Sequence, residues 1–145
     1  MFEIYEVVPS AIYQAEGEQA WRYIDPEAKQ MLFDFREWIG RPCVVNDYKW
    51  GGEFEWSGMR TPEKAASLGA PKSAHRANLA AGVLCRAFDV KIAGEDYTQL
   101  RARILAEQDH PLLQRINRME DGVNWLHIDR IQPPAGRSRI YLFKV

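Results

Sequence analysis

A chain of 145 residues with 46% hydrophobic and 27% charged side chains is long enough for one domain with a real core and too short for two comfortable ones. Its formal net charge of -1 offers no general attraction to nucleic acid or to an acidic membrane surface, so any specificity must come from a local site. No stretch approaches the roughly 20 apolar residues of a membrane span, and the Met1-Phe2-Glu3-Ile4 start lacks a secretion signal, which predicts a protein that is cytoplasmic as synthesised.

Ile4, Val7 and Val8 ahead of Pro9 suggest a short strand or extended arm, and residues 11 to 24 carry no clear period. Asp25-Pro26-Glu27 opens a helix, since Asp25 can cap the free first-turn amides and Pro26 needs no amide partner there. Met31, Leu32, Phe35 and Trp38 give that helix one apolar stripe, and Gly40 and Pro42 end it. Pro42-Cys43-Val44-Val45-Asn46 reads as a buried strand. Tyr48, Trp50, Phe54 and Trp56, broken by Gly51 and Gly52, read either as an aromatic hairpin over one end of the core or as the wall of a substrate groove. Cys43 and Cys85 sit in apolar runs, as small buried residues rather than a disulfide framework.

Thr61-Pro62-Glu63-Lys64 starts a short helix, and Ala77 to Leu84 is a helix or a tightly packed connection. Phe88, Val90 and Ile92 alternate with Asp89 and Lys91, a strand pattern that puts Asp89 opposite the apolar residues. The longest helical pattern follows Gly94, with Tyr97, Leu100 and Ile104 inward and Arg101 and Arg103 outward. His110-Pro111 breaks it, and Leu112, Leu113 and Ile116 suggest a second short helix. Glu120 and Asp121 then read as exposed helix-end acids. In Trp125-Leu126-His127-Ile128-Asp129, Trp125, His127 and Asp129 share one face of a strand; Ile140-Tyr141-Leu142-Phe143 is the last strand. The expected architecture is one α+β domain over residues 1 to 145, a small, mostly antiparallel sheet with packed helices.

His75, Asp89 and His127 are a plausible set for a metal ion that takes three protein ligands and leaves one position open, provided the strands bearing Asp89 and His127 are neighbours. Asp129 is a candidate to orient an imidazole from behind, or else a surface carboxylate paired with Arg130.

Ser73-Ala74-His75, Arg86-Ala87-Phe88-Asp89-Val90 and Trp125-Leu126-His127 together resemble the zinc-binding pattern of the M15 peptidases, the D-Ala-D-Ala carboxypeptidase and phage endolysin group. Ser57-Gly58-Met59-Arg60-Thr61-Pro62 is similar to that family's arginine-bearing turn, and the helix from Asp25 to Gly40 with the strand after it resembles the group's opening helix and strand, so the resemblance spans roughly residues 25 to 130. It implies zinc held by His75, Asp89 and His127, support from Ser73 and Asp129, and Arg60 polarising a scissile carbonyl. The implied activity is hydrolysis of a peptide bond in peptidoglycan stem peptides, with a partner releasing the protein to the cell wall. Tyr48, Trp50, Trp56 and Trp125 are the candidates for contact with substrate.

The chain departs from that pattern at two places. Asp89 follows His75 by fourteen residues, a longer spacing than the family's. Asn124 stands three residues before His127, where the family often carries its catalytic carboxylate, and an amide cannot take a proton from water. Glu120 and Asp121 are the candidate replacements. The alternative is a noncatalytic peptidoglycan-binding or structural phage protein that keeps the pocket.

Overall fold

Two alternating segments, Ala87–Val90 (β1) and Leu126–Asp129 (β3), pair antiparallel at the centre of the molecule, with Asp89 opposite His127 and Phe88 opposite Ile128. A computed structural model describes residues 1–145. Arg118–Glu120 (β2) joins the other edge of β3 antiparallel, and Tyr141–Phe143 (β4) runs parallel to β2. The sheet order is β1-β3-β2-β4, so the fold is α+β with two of its three strand pairings antiparallel. β3 lies between β1 and β2, a split β-α-β arrangement whose crossover carries the helix Tyr97–Ala106 (α4).

Period-two geometry sorts the strand residues between two faces. Phe88, Ile128 and Met119 form an apolar row that is fully buried, with Leu142 packed against the same cluster. The helix Pro26–Ile39 (α2) contributes Met31, Leu32 and Phe35 to that core, and α4 contributes Leu100 and Ile104. Burying side chains of this size is worth about 1.5–3 kcal/mol each before conformational entropy is subtracted. α2 starts where expected: Asp25 accepts from the amides of Glu27 and Ala28. It ends at Gly40, whose φ of 65° suits glycine. The short helix expected from Thr61 is present as Pro62–Ser67 (α3), capped by Thr61.

Several expected elements take other forms. Ile4, Val7 and Val8 are buried from a 3-10 turn at Ile4–Glu6, because their spacing of three and one suits a helical turn better than a strand. The aperiodic stretch after them forms the surface helix Ser10–Glu16 (α1) and a 3-10 run, Gly17–Tyr23. The strand expected at residues 42 to 46 shrinks to one antiparallel bridge, Val44 to Lys91. Pro42 has no amide to donate, and the amide of Asn46 is committed to the carbonyl of Glu6.

In place of an aromatic hairpin, residues 47 to 54 close around Asp47. Its carbonyl accepts from Trp50 and Gly52, and its carboxylate accepts from the amide of Phe54. Residues 77 to 84 are a connection with a 3-10 turn at Leu79–Ala81, and the helix expected after Pro111 is only the 3-10 turn Pro111–Leu113. His110 caps that turn through Nδ1, which accepts from the amide of Leu112. Cys43 and Cys85 are free buried thiols.

Candidate metal centre

The polar face of the sheet carries the site. Asp89 on β1 faces His127 on β3; one further step of the β2–β3 register brings Glu120 beside His127, and Glu120 is in turn paired with Phe143 on β4. One transverse row therefore reads Asp89, His127, Glu120, Phe143. The next row holds Asp129 beside Arg118. His75 reaches the first row from the segment after α3, through two backbone contacts with the arginine-bearing turn: the amide of Arg60 donates to the carbonyl of His75, and the amide of Ala77 donates to that of Arg60.

His75, Asp89 and His127 are all buried, and each offers a donor atom within 4.8 Å of the others. Nδ1 of His75 donates to the carbonyl of Gly58 at 2.9 Å, which leaves the lone pair on Nε2 facing Oδ1 of Asp89 at 3.3 Å. Oδ1 also lies 2.9 Å from Nδ1 of His127. Donors bound at the usual distances to a tetrahedral ion stand about 3.3–3.5 Å apart, so small adjustments would let this set hold one metal ion. The second histidine donor is set from behind: Nε2 of His127 donates to Oδ2 of Asp129 at 2.8 Å, which turns Nδ1 toward the site. Asp129 is itself gripped by Nε and Nη2 of Arg118 and accepts from the amide of Ile131.

Burial and hydrogen bonding act oppositely on the two imidazoles. Burial pushes the His75 imidazole below its ordinary pKa. Burial alone would raise the Asp89 carboxyl, but the His75 and His127 rings prevail and hold it well below the usual carboxylate range. Burial also opposes charge on His127, yet its hydrogen bonds to Asp129 and Asp89 win and bring it to about 9. The Glu120 carboxyl is raised, chiefly by burial.

The cluster forms the floor of a cleft of about 310 Å³ that also exposes Arg60, Ser73, Glu120 and Trp125. Arg60 is held by the carbonyl of Trp56, which accepts from Nε at 2.8 Å, and by Asp89, whose Oδ2 lies 3.3 Å from Nη2. Ser73 Oγ accepts from the amide of His75, so it supports the ligand loop. Lys91, behind Asp89, donates from Nζ to the carbonyl of Val45 and to Ser57, and burial lowers its pKa to about 8.

No family model, curated protein or solved structure matches the chain.

The remaining candidates from the sequence lie elsewhere. Asp121 does not line the cleft: its carboxylate sits 3.5 Å from Nε of Arg101, because the chain turns away after β2. Tyr48, Trp50 and Trp56 do not line it either. The Tyr48 hydroxyl donates to the carbonyl of Val8, Trp50 is exposed with its ring edge-on to Tyr5, and the Lys64 ammonium lies over Trp56. Asn124 is outside the cleft as well, near the start of α4.

Sequence reasoning missed Arg118, which binds Asp129 and lies 4.2 Å over the Phe143 ring, and it missed Phe143 itself as a wall of the cleft. The available signal was the spacing of two between Arg118 and Glu120, which puts both on one strand face.

Proposed function

We propose that the protein is a zinc-dependent hydrolase of a peptide bond in peptidoglycan stem peptides. The observation that carries the reading is the placement of Glu120 beside His127 in the cleft that also exposes Arg60 and the metal-capable cluster. A carboxylate thus lines the cleft although residue 124 is an amide, which supports a proton-transfer role for Glu120. Once a metal ion displaces the Nδ1 proton of His127, two neutral imidazoles and a carboxylate form a donor set that suits zinc, and bound zinc would supply Lewis acidity toward water and a substrate carbonyl. The substrate class follows from the resemblance of the His75, Asp89, His127 and Arg60 segments to the M15 peptidases.

Each residue of the chain has a defined task in this reading. Glu120 accepts the proton of the attacking water and delivers it to the leaving amine. Arg60, fixed by the Trp56 carbonyl and Asp89, presents a preorganised cation to the oxyanion as it develops. Trp125 and Phe143 wall the cleft and limit water around the bound peptide. No helix here is long and apolar enough to cross a membrane.

The test is metal content of the purified protein together with release of amino groups from purified peptidoglycan. Near-stoichiometric zinc with release is the expected result, and Glu120→Gln should keep the metal while losing about 10²-fold or more in turnover. Undiminished release by that variant would remove Glu120 from the mechanism. The position of Asn124 favours a second reading, a noncatalytic peptidoglycan-binding module, which predicts bound zinc and peptidoglycan without release.

A further inference from the structure

Arg101 sits in the middle of α4 on its buried face, between Leu100 and Ile104, with its side chain only 4% exposed. An apolar residue there would fill the space without desolvating a charge, so the guanidinium is better explained by what it holds. Its Nη1 donates to the carbonyls of both Val123 and Trp125 at 3.2 Å, and its Nε faces the Asp121 carboxylate at 3.5 Å. All three partners belong to residues 121–125, the connection between β2 and β3. Among the turn and loop backbone hydrogen bonds, that connection contributes only the amide of Asp121, which donates to the carbonyl of Phe143. The connection has Glu120 at one end, Leu126 and His127 at the other, and Trp125 turned into the cleft wall.

We infer that Arg101 is a positioning residue whose clamp on the β2–β3 connection fixes Trp125 in the cleft wall and holds Glu120 in place beside His127. The clamp stands on contacts in the structure; its effect on turnover rests on the hydrolase reading. It also gives Asp121 a different task from the proton transfer that its place in the sequence suggested, namely that of counter-charge to Arg101. Nη1 alone donates to both carbonyls while Nε meets the Asp121 carboxylate only as a charge, so the planar guanidinium serves both kinds of partner at once. A lysine keeps the charge but offers a single nitrogen.

The experiment compares wild type, Arg101→Lys and Asp121→Asn. Three quantities are read: the indole N–H resonance of Trp125, assigned through Trp125→Phe; zinc affinity by chelator competition; and kcat and KM on a stem peptide. The clamp predicts a shifted and broadened Trp125 resonance in Arg101→Lys, and a smaller shift in the same direction in Asp121→Asn. Zinc affinity should stay within about threefold of wild type while KM rises about fivefold or more, since remote misplacement of a substrate wall acts on binding. An unmoved Trp125 resonance in a folded Arg101→Lys overturns the proposal, as does loss of zinc affinity with no change at Trp125. If Arg101→Lys does not fold, an unmoved resonance in Asp121→Asn overturns it. If wild type cleaves no peptide, the hydrolase reading fails, and the Trp125 resonance still decides the clamp.

Discussion

His127 and Asp129 lie on the same face of β3, and Nε2 of His127 donates to the fully buried carboxylate of Asp129 at 2.8 Å. The contact fixes the ring and turns Nδ1 toward Asp89 and His75. Asp129→Asn should weaken zinc binding about 10–100-fold, the usual effect of removing such a partner. Chelator competition measures it, and wild-type affinity in the variant would mean that Asp129 serves the fold alone.

Arg118 is the counter-charge of that carboxylate. Removing one member of a buried pair strands the other, so Arg118→Met should destabilise the protein by about 3–5 kcal/mol. Urea unfolding of the metal-free protein reads this directly. The double variant Arg118→Met with Asp129→Leu should recover only part of the loss, because it removes the stranded carboxylate but leaves the Nε2–H of His127 and the amide of Ile131 without their acceptor.

Gly58 has a steric task. A Cβ at this position would lie 2.2 Å from the carbonyl oxygen of Val7, and the adjacent amide of Met59 donates to that same oxygen. Gly58→Ala must therefore push the turn outward, at about 1–3 kcal/mol for forced overpacking. Since the Gly58 carbonyl holds Nδ1 of His75, zinc affinity should fall along with stability. A variant of unchanged melting temperature and unchanged affinity would refute the link.

The two thiols set an alkaline limit away from the site. Burial raises Cys43 to about 11 and Cys85 to about 12, from a usual 9. The stability that depends on neutral thiols is whole below pH 9 and is lost as pH climbs from 9 toward those values, because the unfolded chain ionises first. At pH 10 the loss is about 1 kcal/mol per thiol. Urea midpoints at pH 8 and pH 10 should fall less in a Cys43→Ala, Cys85→Ala double variant than in wild type.

The central strands were legible because they alternate. Phe88 and Val90 against Asp89, and Leu126 and Ile128 against His127 and Asp129, spell out which face meets the core and which carries donors. α2 was legible through its cap and stripe. β2 was not: Arg118, Met119 and Glu120 give one period of alternation, too short to stand out, and what makes them a strand is pairing on both sides with partners distant in sequence. Arg101 misled for a related reason. A cation on a helix normally marks the solvated face, and its partners are carbonyls more than twenty residues away, which no local pattern records.

The transverse row also sets when the cluster can assemble. Asp89 and His127 are separated by 38 residues, and Glu120 becomes their neighbour only when β3 has entered between β1 and β2. Until β3 has docked the cluster lacks its third donor, so it cannot assemble before the sheet does. A metal ion held by the assembled cluster, at a free concentration one hundred times its dissociation constant, would secure the fold by about 2.7 kcal/mol.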